Sequence, residues 1–299
     1  MKIIIAGAGE VGTHLAKLLS KEGQDVILID PDETKLQVVD SNYNLMTIAG
    51  SPTTFNLLKE ANVKDADLYI AVTPFETRNI VSCSMAKGLG AKKTVARIDN
   101  LEFMKSEYTP FFKDMGVDDL IYPEYFASLE MMSALSHTWA RNWFELYNGE
   151  LILIGVKLRE NAKLINHKLK DLASKSQSFH ISAIQRKNET IIPRGDHHLE
   201  VGDIAYFTTQ KEFVSEIIDV CGKRITNVKR ILILGGSRIA VQLANMLGDS
   251  FKLKIIESDK EKCLRLIEKV PENCSIINGD GRDIDLLIEE GIADYDAFI

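Results

Sequence analysis

The sequence predicts an α/β fold in which two doubly wound parallel sheets are separated by a small α+β module. One observation is a repeat: residues 2–12, KIIIAGAGEVG, and residues 230–240, RILILGGSRIA, each join an apolar run to a glycine turn and a helix-like stretch. The other is an acidic residue at a matched distance after each turn, Asp30 and Glu257. Strand, glycine turn, helix and acid in this order are typical of nucleotide-binding units. Both units are therefore expected to be Rossmann-like.

Apolar runs alternate with helical stretches throughout the first unit, as a parallel sheet requires. A helix over residues 10–19 has one apolar face, and Pro31-Asp32-Glu33 opens a second helix with proline and acids in its first turn. Strands are predicted at residues 2–7, 25–30, 44–50, 67–73, 93–98 and 119–123.

A long helix is predicted next, from Pro123 to Tyr147. Apolar residues recur there at steps of three and four, which gives the helix one apolar face. They include Phe126, Leu129, Met132, Leu135, Trp139 and Trp143. The spacing leaves two interpretations open: a core helix of its own domain, or a crossover helix between subunits that transmits domain movement near Trp139 and Trp143.

The sequence pattern changes after residue 150 and indicates a small α+β module. Strands are predicted at 151–158, 179–186, 190–194 and 203–209, and helices at 162–174 and 212–221. The domain prediction is a first Rossmann-like domain over 1–135 with its crossover helix to about 147, a small module over 148–224, and a second Rossmann-like domain over 228–299.

The second repeat is expected to be incomplete. Its strands are predicted at 230–236, 251–257 and 275–280, and residues 293–299 align with residues 66–72 of the first repeat. Ile299 would then lie inside a fourth strand, so we expect the natural protein to continue beyond it.

Composition excludes several classes of function. The chain has 299 residues, 45% hydrophobic and 26% charged, with a formal net charge of −7, which describes an ordinary soluble protein. That charge argues against a nucleic-acid partner and against a polybasic lipid-binding surface. No apolar run reaches the length of a membrane span, so we expect membrane association only through a protein partner. The four cysteines show no zinc spacing, and we expect buried, reduced thiols of a cytosolic protein and no metal site.

The first glycine motif predicts a phosphate cradle. Its residues are Gly7, Ala8, Gly9, Glu10, Val11 and Gly12, which satisfy G-x-G-x-x-G. The first glycine permits the tight turn, the second lets a pyrophosphate approach the backbone, and the third lets the helix pack on the sheet. Free N–H groups at the positive helix end would hold the phosphates. The alternative is a Rossmann-like domain that binds no ligand.

Asp30 would select among nucleotides. Its carboxylate can accept hydrogen bonds from both ribose hydroxyls and would repel a 2′-phosphate, so NADP is disfavoured while NAD(H), ATP and ADP stay possible. Thr73 and Pro74, at the end of the fourth strand, would border the ligand. Arg97 could reach a phosphate, or form only a structural salt bridge. Glu10 is an anion close to the expected phosphates and is interpreted as pointing outward.

The second glycine turn departs from the motif. Its candidate residues are Gly235, Gly236, Ser237, Arg238, Ile239, Glu257 and Asp280. Ser237 stands where the middle glycine belongs and would crowd a phosphate, although its hydroxyl could donate to one. Asp280 is either a ligand contact or a loop cap. We therefore expect weaker occupancy here than at the first turn.

Nothing in the sequence requires catalysis, and we predict no catalytic residue. No tyrosine is followed by a lysine four residues later, so the pair used by short-chain dehydrogenases is absent. The six histidines suggest structural or solvated positions, and the middle module is small for a substrate domain. The alternative function is an NAD-dependent oxidoreductase. A third interpretation is a nucleotide-free scaffold in which the repeats serve only assembly.

The order of these parts resembles the TrkA family of bacterial potassium-uptake regulators. The resemblance rests on KIIIAGAGEVG with Asp30, AVTPFETRN at 71–79, ARI at 96–98, LEVGDIAYF closing the small module, and the restart at RILILGG. It implies tandem RCK (KTN) domains that form a homo-oligomeric cytosolic ring beneath a TrkH-, TrkG- or KtrB-like potassium-translocating membrane subunit, without inserting into the membrane.

The same resemblance implies ligand-binding roles. Gly7 to Val11, Asp30, Thr73, Pro74 and Arg97 would bind a first nucleotide, and Gly235 to Ile239 with Glu257 a second. Ser51 and Ser237 depart from the commoner Asp and Gly of the family. The function implied is regulation of potassium transport at the inner face of the plasma membrane, by binding NAD(H), ATP or ADP.

Overall fold

A six-stranded parallel sheet forms the centre of the first of the two units into which the chain divides. The units are Met1–Phe126 and Ala127–Ile299. The structure is a computed structural model that describes residues 1–42, 45–173 and 178–299. The strand order β3-β2-β1-β4-β5-β6 is that of a doubly wound sheet. In chain order the elements are β1 Lys2–Ala6, α1 Glu10–Lys21, β2 Asp25–Asp30, α2 Glu33–Asn42, β3 Met46–Ala49, α3 Phe55–Glu60, β4 Leu68–Ala71, α4 Glu76–Gly88, β5 Lys93–Arg97, α5 Thr109–Asp114 and β6 Asp119–Ile121. Residue 44, included in the predicted third strand, lies outside the described residues.

Helices cover both faces of this sheet, which explains why its central strands are apolar without interruption. Ile3 and Ile5 face one core, which α1 and α2 cover. Ile4 and Ala6 face the other core, which α3, α4 and α5 cover. Because side chains alternate between the two faces of a strand, both sets must be apolar. The carboxyl ends of the strands lead directly into the loops that carry the candidate site.

An antiparallel sheet of five strands forms the first part of the second unit. The helix α6, Pro123–Ser136, precedes it, and the strand order is β10-β9-β11-β8-β7. Its elements are β7 Asn142–Leu146, β8 Leu151–Lys157, α7 Leu169–Ala173, β9 Phe179–Arg186, β10 Glu189–Ile191, β11 Ile204–Thr209 and α8 Val214–Val220. Ile217 of α8 packs against Ile154 and Phe207 of the sheet, all three fully buried.

A second parallel sheet follows, with the order β14-β13-β12-β15. Its elements are β12 Arg230–Leu234, α9 Arg238–Leu247, β13 Lys252–Glu257, α10 Lys260–Ile267, β14 Cys274–Asn278, α11 Ile284–Glu289 and β15 Ala297–Phe298. In the same unit, Met131, Met132 and Leu135 of α6 pack against the core of this sheet. The predicted fold class is confirmed: two Rossmann-like sheets separated by an α+β module. The exact domain boundaries stay predictions.

The long helix predicted to Tyr147 is wrong beyond Ser136. Residues 142–146 instead form β7, which pairs antiparallel with β8 from Asn142 opposite Gly155 to Leu146 opposite Leu151. Asn148 and Gly149 both have positive φ in the connecting turn, which suits a tight hairpin and ends any helix. Trp139 is buried in the core of the antiparallel sheet. Trp139 and Trp143 therefore lie outside the helix, and a crossover role for α6 itself stays a prediction.

The helix predicted over 162–174 is also mostly wrong, because α7 comprises only Leu169–Ala173. Asn166 has φ +64°, a left-handed conformation that interrupts a right-handed helix. Ile165 and Lys168 instead form isolated bridges to Leu199 and His198. Residue 174 lies outside the described residues.

All four cysteines lie among the described residues, and each is a buried free thiol. Burial raises the pKa of Cys83 and of Cys221 to about 12, so neither is a reactive thiolate near neutral pH. Within the three described ranges, no helix combines the length and the apolar character that crossing a bilayer demands.

Candidate nucleotide-binding site

The first glycine turn connects β1 to α1 at the carboxyl end of the sheet. Gly7 has φ +112°, and its N–H donates to the carbonyl of Ile29 at 2.7 Å. Gly12 lies against the turn so closely that a Cβ there would be 1.8 Å from the carbonyl oxygen of Gly7. The third glycine is therefore required because a side chain there would clash with the turn. The motif had suggested a different reason, the packing of the helix on the sheet.

Gly9 is the one glycine of the motif with open space in front of it. It is the N-cap residue of α1, contributes no side-chain cap, and a Cβ placed on it would meet nothing within 4 Å. The first N–H groups of a helix have no partner within the helix. Glu10 and Val11, which follow Gly9, are exposed at this end of α1. The arrangement fits a phosphate group, because a ligand can approach the backbone where a side chain would otherwise stand.

Asp30 is held rigidly at the end of β2. It is only 7% exposed, and its Oδ2 accepts from the N–H of Ala8 at 2.7 Å while its Oδ1 accepts from the N–H of Asp32 at 2.9 Å. Each carboxylate oxygen can accept more than one hydrogen bond. The carboxylate therefore orients the glycine turn and keeps acceptor capacity for hydroxyl groups.

Asn79 joins the ends of β4 and β5, a function that the sequence analysis missed. Its Oδ1 accepts from Thr73 N at 2.9 Å and from Thr73 Oγ1 at 2.6 Å, and its Nδ2 donates to the carbonyls of Thr73 and Arg97, both at 2.9 Å. Asn79 is 1% exposed, whereas Pro74 is exposed. A buried amide needs partners for its polar atoms, and these four contacts supply them. No signal in the sequence pointed to this role, because the burial of Asn79 appears only in the folded chain.

Arg97 forms the salt bridge that the sequence left as one of two possibilities. Its Nη2 lies 2.6 Å from Oε1 of Glu124, and both side chains are largely buried. The ion pair fixes the guanidinium at the end of β5, on the same edge as Thr73. Contact between Arg97 and a phosphate stays a prediction.

The second glycine turn repeats the hydrogen bonds that hold the first turn to its acidic residue and to the neighbouring strand. Gly235 has φ +88°, and its N–H donates to the carbonyl of Ile256 at 2.8 Å. The Oε2 atom of Glu257 accepts from Gly236 N at 2.8 Å, and Oε1 accepts from Asp259 N at 3.0 Å. The acids of the two repeats therefore hold their turns in the same way.

The N-terminus of α9 differs from that of α1 because a side chain caps it. The Oγ atom of Ser237 accepts from the N–H of Ala240 at 3.1 Å, which satisfies one of the groups that would otherwise bind an anion. Arg238 is exposed in the first turn, and the carbonyl of Ile239 accepts from Ser128 Oγ at 3.2 Å. The serine at the position of the middle glycine therefore gives α9 a side-chain cap that α1 does not have.

The acids around the second turn are also paired with cations. Lys262 Nζ lies 2.5 Å from Oε2 of Glu257. Burial alone would raise the pKa of Glu257, but hydrogen bonds from Lys262 and from the N–H groups of Asp259 and Gly236 lower it to about 2. Asp280 binds Arg282 through both carboxylate oxygens, at 3.0 and 2.8 Å, in an exposed turn. Both acids are therefore occupied by neighbouring cations.

This pairing predicts a specific loss of stability in acid. A carboxyl whose pKa is lower in the folded chain stabilises it fully above its ordinary pKa, near 4.5, and loses that contribution as the pH falls towards 2. We expect the difference in unfolding free energy between the wild type and Glu257→Gln to shrink by about 2 kcal/mol between pH 6 and pH 3. Urea denaturation at both pH values measures it, and a difference that is independent of pH would contradict the pairing.

Comparison with known proteins agrees with this architecture. The TrkA-N domain matches residues 3–123 and again 231–299, and the TrkA-C domain matches residues 153–222. The Trk system potassium uptake protein TrkA of Haemophilus influenzae is 32% identical over 305 residues, which cover all of this chain and 66% of the relative. The Trk system potassium uptake protein trkA homolog 1 of Methanosarcina mazei is 32% identical over 308 residues, with 74% of the relative covered.

Solved structures show the same fold at lower identity. The GsuK channel bound to NAD superposes with a TM-score of 0.69 at 14% identity, over 99% of this chain and 52% of that one. The GsuK RCK domain gives 0.70 at 13% identity, over 99% of this chain and 62% of that one. The chain spans about two thirds of the length of several curated relatives named TrkA that it matches. On the domain matches and on the identity over its full length, the chain belongs to the TrkA family.

Proposed function

We propose that this chain is a regulatory subunit of a potassium uptake system that binds NAD(H), ADP or ATP at the first glycine turn. The relatives named above support the potassium part of the proposal. The observation that supports nucleotide binding is the uncapped end of α1 at Gly9, with open space where a Cβ would stand and the Asp30 carboxylate on the adjacent strand end.

Each residue of the first site has a distinct part in this proposal. The N–H groups that follow Gly9 bind the phosphates at the positive end of α1. Asp30 accepts hydrogen bonds from the ribose hydroxyls and repels a 2′-phosphate. Thr73 and Pro74 border the rest of the ligand, and Arg97, held by Glu124, offers its remaining guanidinium N–H donors to a phosphate at the same edge. None of these residues has a catalytic part.

The second glycine turn is proposed as the weaker site. A phosphate there must displace the Ser237 hydroxyl from Ala240 N, and a ribose must compete with Lys262 for Glu257. Both exchanges oppose binding, since each replaces a contact that is already made.

Regulation follows from unequal binding to two conformations of an oligomer. We propose a homo-oligomeric ring at the cytoplasmic face of the membrane, bound to a potassium-translocating membrane subunit. A ligand can shift such an equilibrium only by its difference in affinity for the two states. Coupling free energies of about 1–3 kcal/mol are typical of such systems.

Exchanging the residues at the two helix ends tests the nucleotide proposal. Gly9→Ser should cap α1 as Ser237 caps α9, so we expect nucleotide affinity to fall at least tenfold while stability changes by only a few tenths of a kcal/mol. Ser237→Gly is the reciprocal variant and should strengthen the second site. Calorimetry with ADP and NADH measures both, and unchanged affinity in Gly9→Ser would contradict the assigned phosphate position.

Two further measurements separate the alternative functions. Native mass spectrometry of the purified chain identifies any retained nucleotide. If no nucleotide is retained, and calorimetry with ADP and NADH detects no binding, a nucleotide-free scaffold is favoured. A change in NADH absorbance with candidate substrates would indicate turnover and favour an NAD-dependent oxidoreductase instead.

A further inference from the structure

An open cleft of about 600 Å³ lies in the second unit, apart from both glycine turns in the sequence. Three parts of the chain line it: residues 138–141 before β7, the residues Lys157, Arg159 and Asn161 at and just after the end of β8, and residues 222–224 after α8. Positive side chains dominate its lining, and no carboxylate belongs to the described residues that line it. The positive side chains are those of Arg141, Lys157, Arg159, Lys223 and Arg224.

This concentration of charge is unusual for an acidic chain with a net charge of −7. Several lysines and arginines elsewhere in the described chain lie against a carboxylate, as Lys163 does with Asp219 at 2.7 Å and Arg186 does with Asp203 at 2.9 Å. Within the described part of the chain, no such ion pair involves the five cations of the cleft. Like charges held together repel, so the cluster costs stability unless an anion binds there.

Hydrogen bonds fix the walls of the cleft. Asn161 Nδ2 donates to the carbonyl of Gly222 at 2.6 Å, and Lys223 Nζ donates to the carbonyl of Lys157 at 2.6 Å. Arg141 N donates to the carbonyl of Gly155 at 2.7 Å, which ties residues 138–141 to β8. The cations are therefore carried on a connected framework and not on independent loops.

The electrostatic environment of Lys223 is consistent with this picture. Partial burial, and then the charges of Arg159 and Lys157, lower the pKa of Lys223 below its ordinary value. An anion beside it would reverse that shift.

We propose that the cleft binds a small molecule carrying several phosphate groups. The guanidinium groups of Arg141, Arg159 and Arg224 suit phosphate oxygens, because their planar donors can bind in pairs. One phosphate carries about two negative charges at neutral pH, fewer than the five cations present. The volume falls within the usual range for small-molecule sites, and the buried Trp139 supplies one apolar wall.

Calorimetry of the full chain with inorganic tripolyphosphate tests the proposal, since that probe has neither ribose nor base. We expect tripolyphosphate to bind at least tenfold more tightly than inorganic phosphate. The double variant Arg141→Gln/Arg159→Gln should weaken it at least tenfold, because it removes two of the guanidinium groups that would bind the phosphates. Neither arginine has a side-chain hydrogen bond to another described residue, so the variant should still fold. Lys187→Gln/Lys211→Gln removes two exposed charges from the same module and should change the affinity less than twofold.

Other outcomes would overturn the proposal. These are the absence of tripolyphosphate binding to the wild type, and equal losses in the two double variants. Should the arginine variant fail to fold, Arg224→Gln alone is expected to weaken binding severalfold. Gly9→Ser should leave tripolyphosphate binding unchanged, so a loss there would place the anion at the first glycine turn instead. In a further control, the protein is sedimented with phosphatidylglycerol vesicles in the presence of tripolyphosphate. If the protein binds the vesicles and tripolyphosphate does not release it, the cleft binds a lipid surface, which would contradict a soluble ligand.

Discussion

Gly12→Ala is expected to destabilise the first unit strongly. Its Cβ would lie 1.8 Å from the carbonyl oxygen of Gly7 and 3.2 Å from Cγ2 of Val72, so the turn or α1 must move. Overpacking of this severity typically costs about 3 kcal/mol or more. Thermal unfolding followed by circular dichroism should show the melting temperature falling by roughly 6–12 °C.

Gly9→Ala is the matched control for that substitution. It adds the same methyl group to the same turn, but at a position where nothing lies within 4 Å. Its backbone is already extended, with φ −71°, so alanine fits without strain. Equal losses of stability in the two variants would contradict the packing described for Gly12.

Asp30→Ala is expected to produce the largest loss of nucleotide affinity. If Asp30 accepts two hydrogen bonds from the ribose, each is worth about 1.5–3 kcal/mol, and their loss weakens binding at least 100-fold. The variant also leaves Ala8 N and Asp32 N without their acceptor, which should lower stability by about 1–3 kcal/mol. Calorimetry with ADP and urea denaturation measure the two effects separately.

Asp32→Ala provides the comparison for Asp30. That carboxylate is two residues away and half exposed, and its salt bridge with Lys35 is 3.5 Å long. Exposed pairs contribute little, so affinity should stay within a factor of three of the wild type. If Asp30→Ala folds and binds nucleotide with the same affinity as Asp32→Ala, the proposed contact between Asp30 and the ribose is contradicted.

The strong local patterns of the repeats made the parallel sheets predictable from the sequence. Apolar strands buried on both faces, followed by glycine turns and acids, leave few alternatives for β1, β2, β12 and β13. The same logic located the first candidate site, because strand ends of a parallel sheet meet at one edge.

The errors arose where a helical spacing concealed another structure. Trp139 and Trp143 continue the apolar steps of α6, but the pair Asn148-Gly149 between NWFEL and LILIG is a hairpin signal that should have outweighed them. Asn166 likewise ended a predicted helix through its positive φ. Such positions depend on turn chemistry, which apolar periodicity does not detect.

The remaining features of the site depend on contacts that spacing cannot give. The sequence suggested that Ser237 would crowd a ligand or donate to it, whereas the structure shows that it caps α9. Asn79 and the Lys262–Glu257 pair also needed three-dimensional distances to be recognised. Serine is a common residue at the start of a helix, but the residue type alone does not say whether its hydroxyl caps the helix or contacts a ligand.

The most direct test of the account is a calorimetric titration of the wild-type chain with NADH, ADP, ATP and NADPH. We expect saturable binding of one or more of the first three ligands, and at least tenfold weaker binding of NADPH, because its 2′-phosphate would meet the Asp30 carboxylate. Equal affinity for NADH and NADPH, or no binding of any of the four, would contradict nucleotide sensing at the first glycine turn.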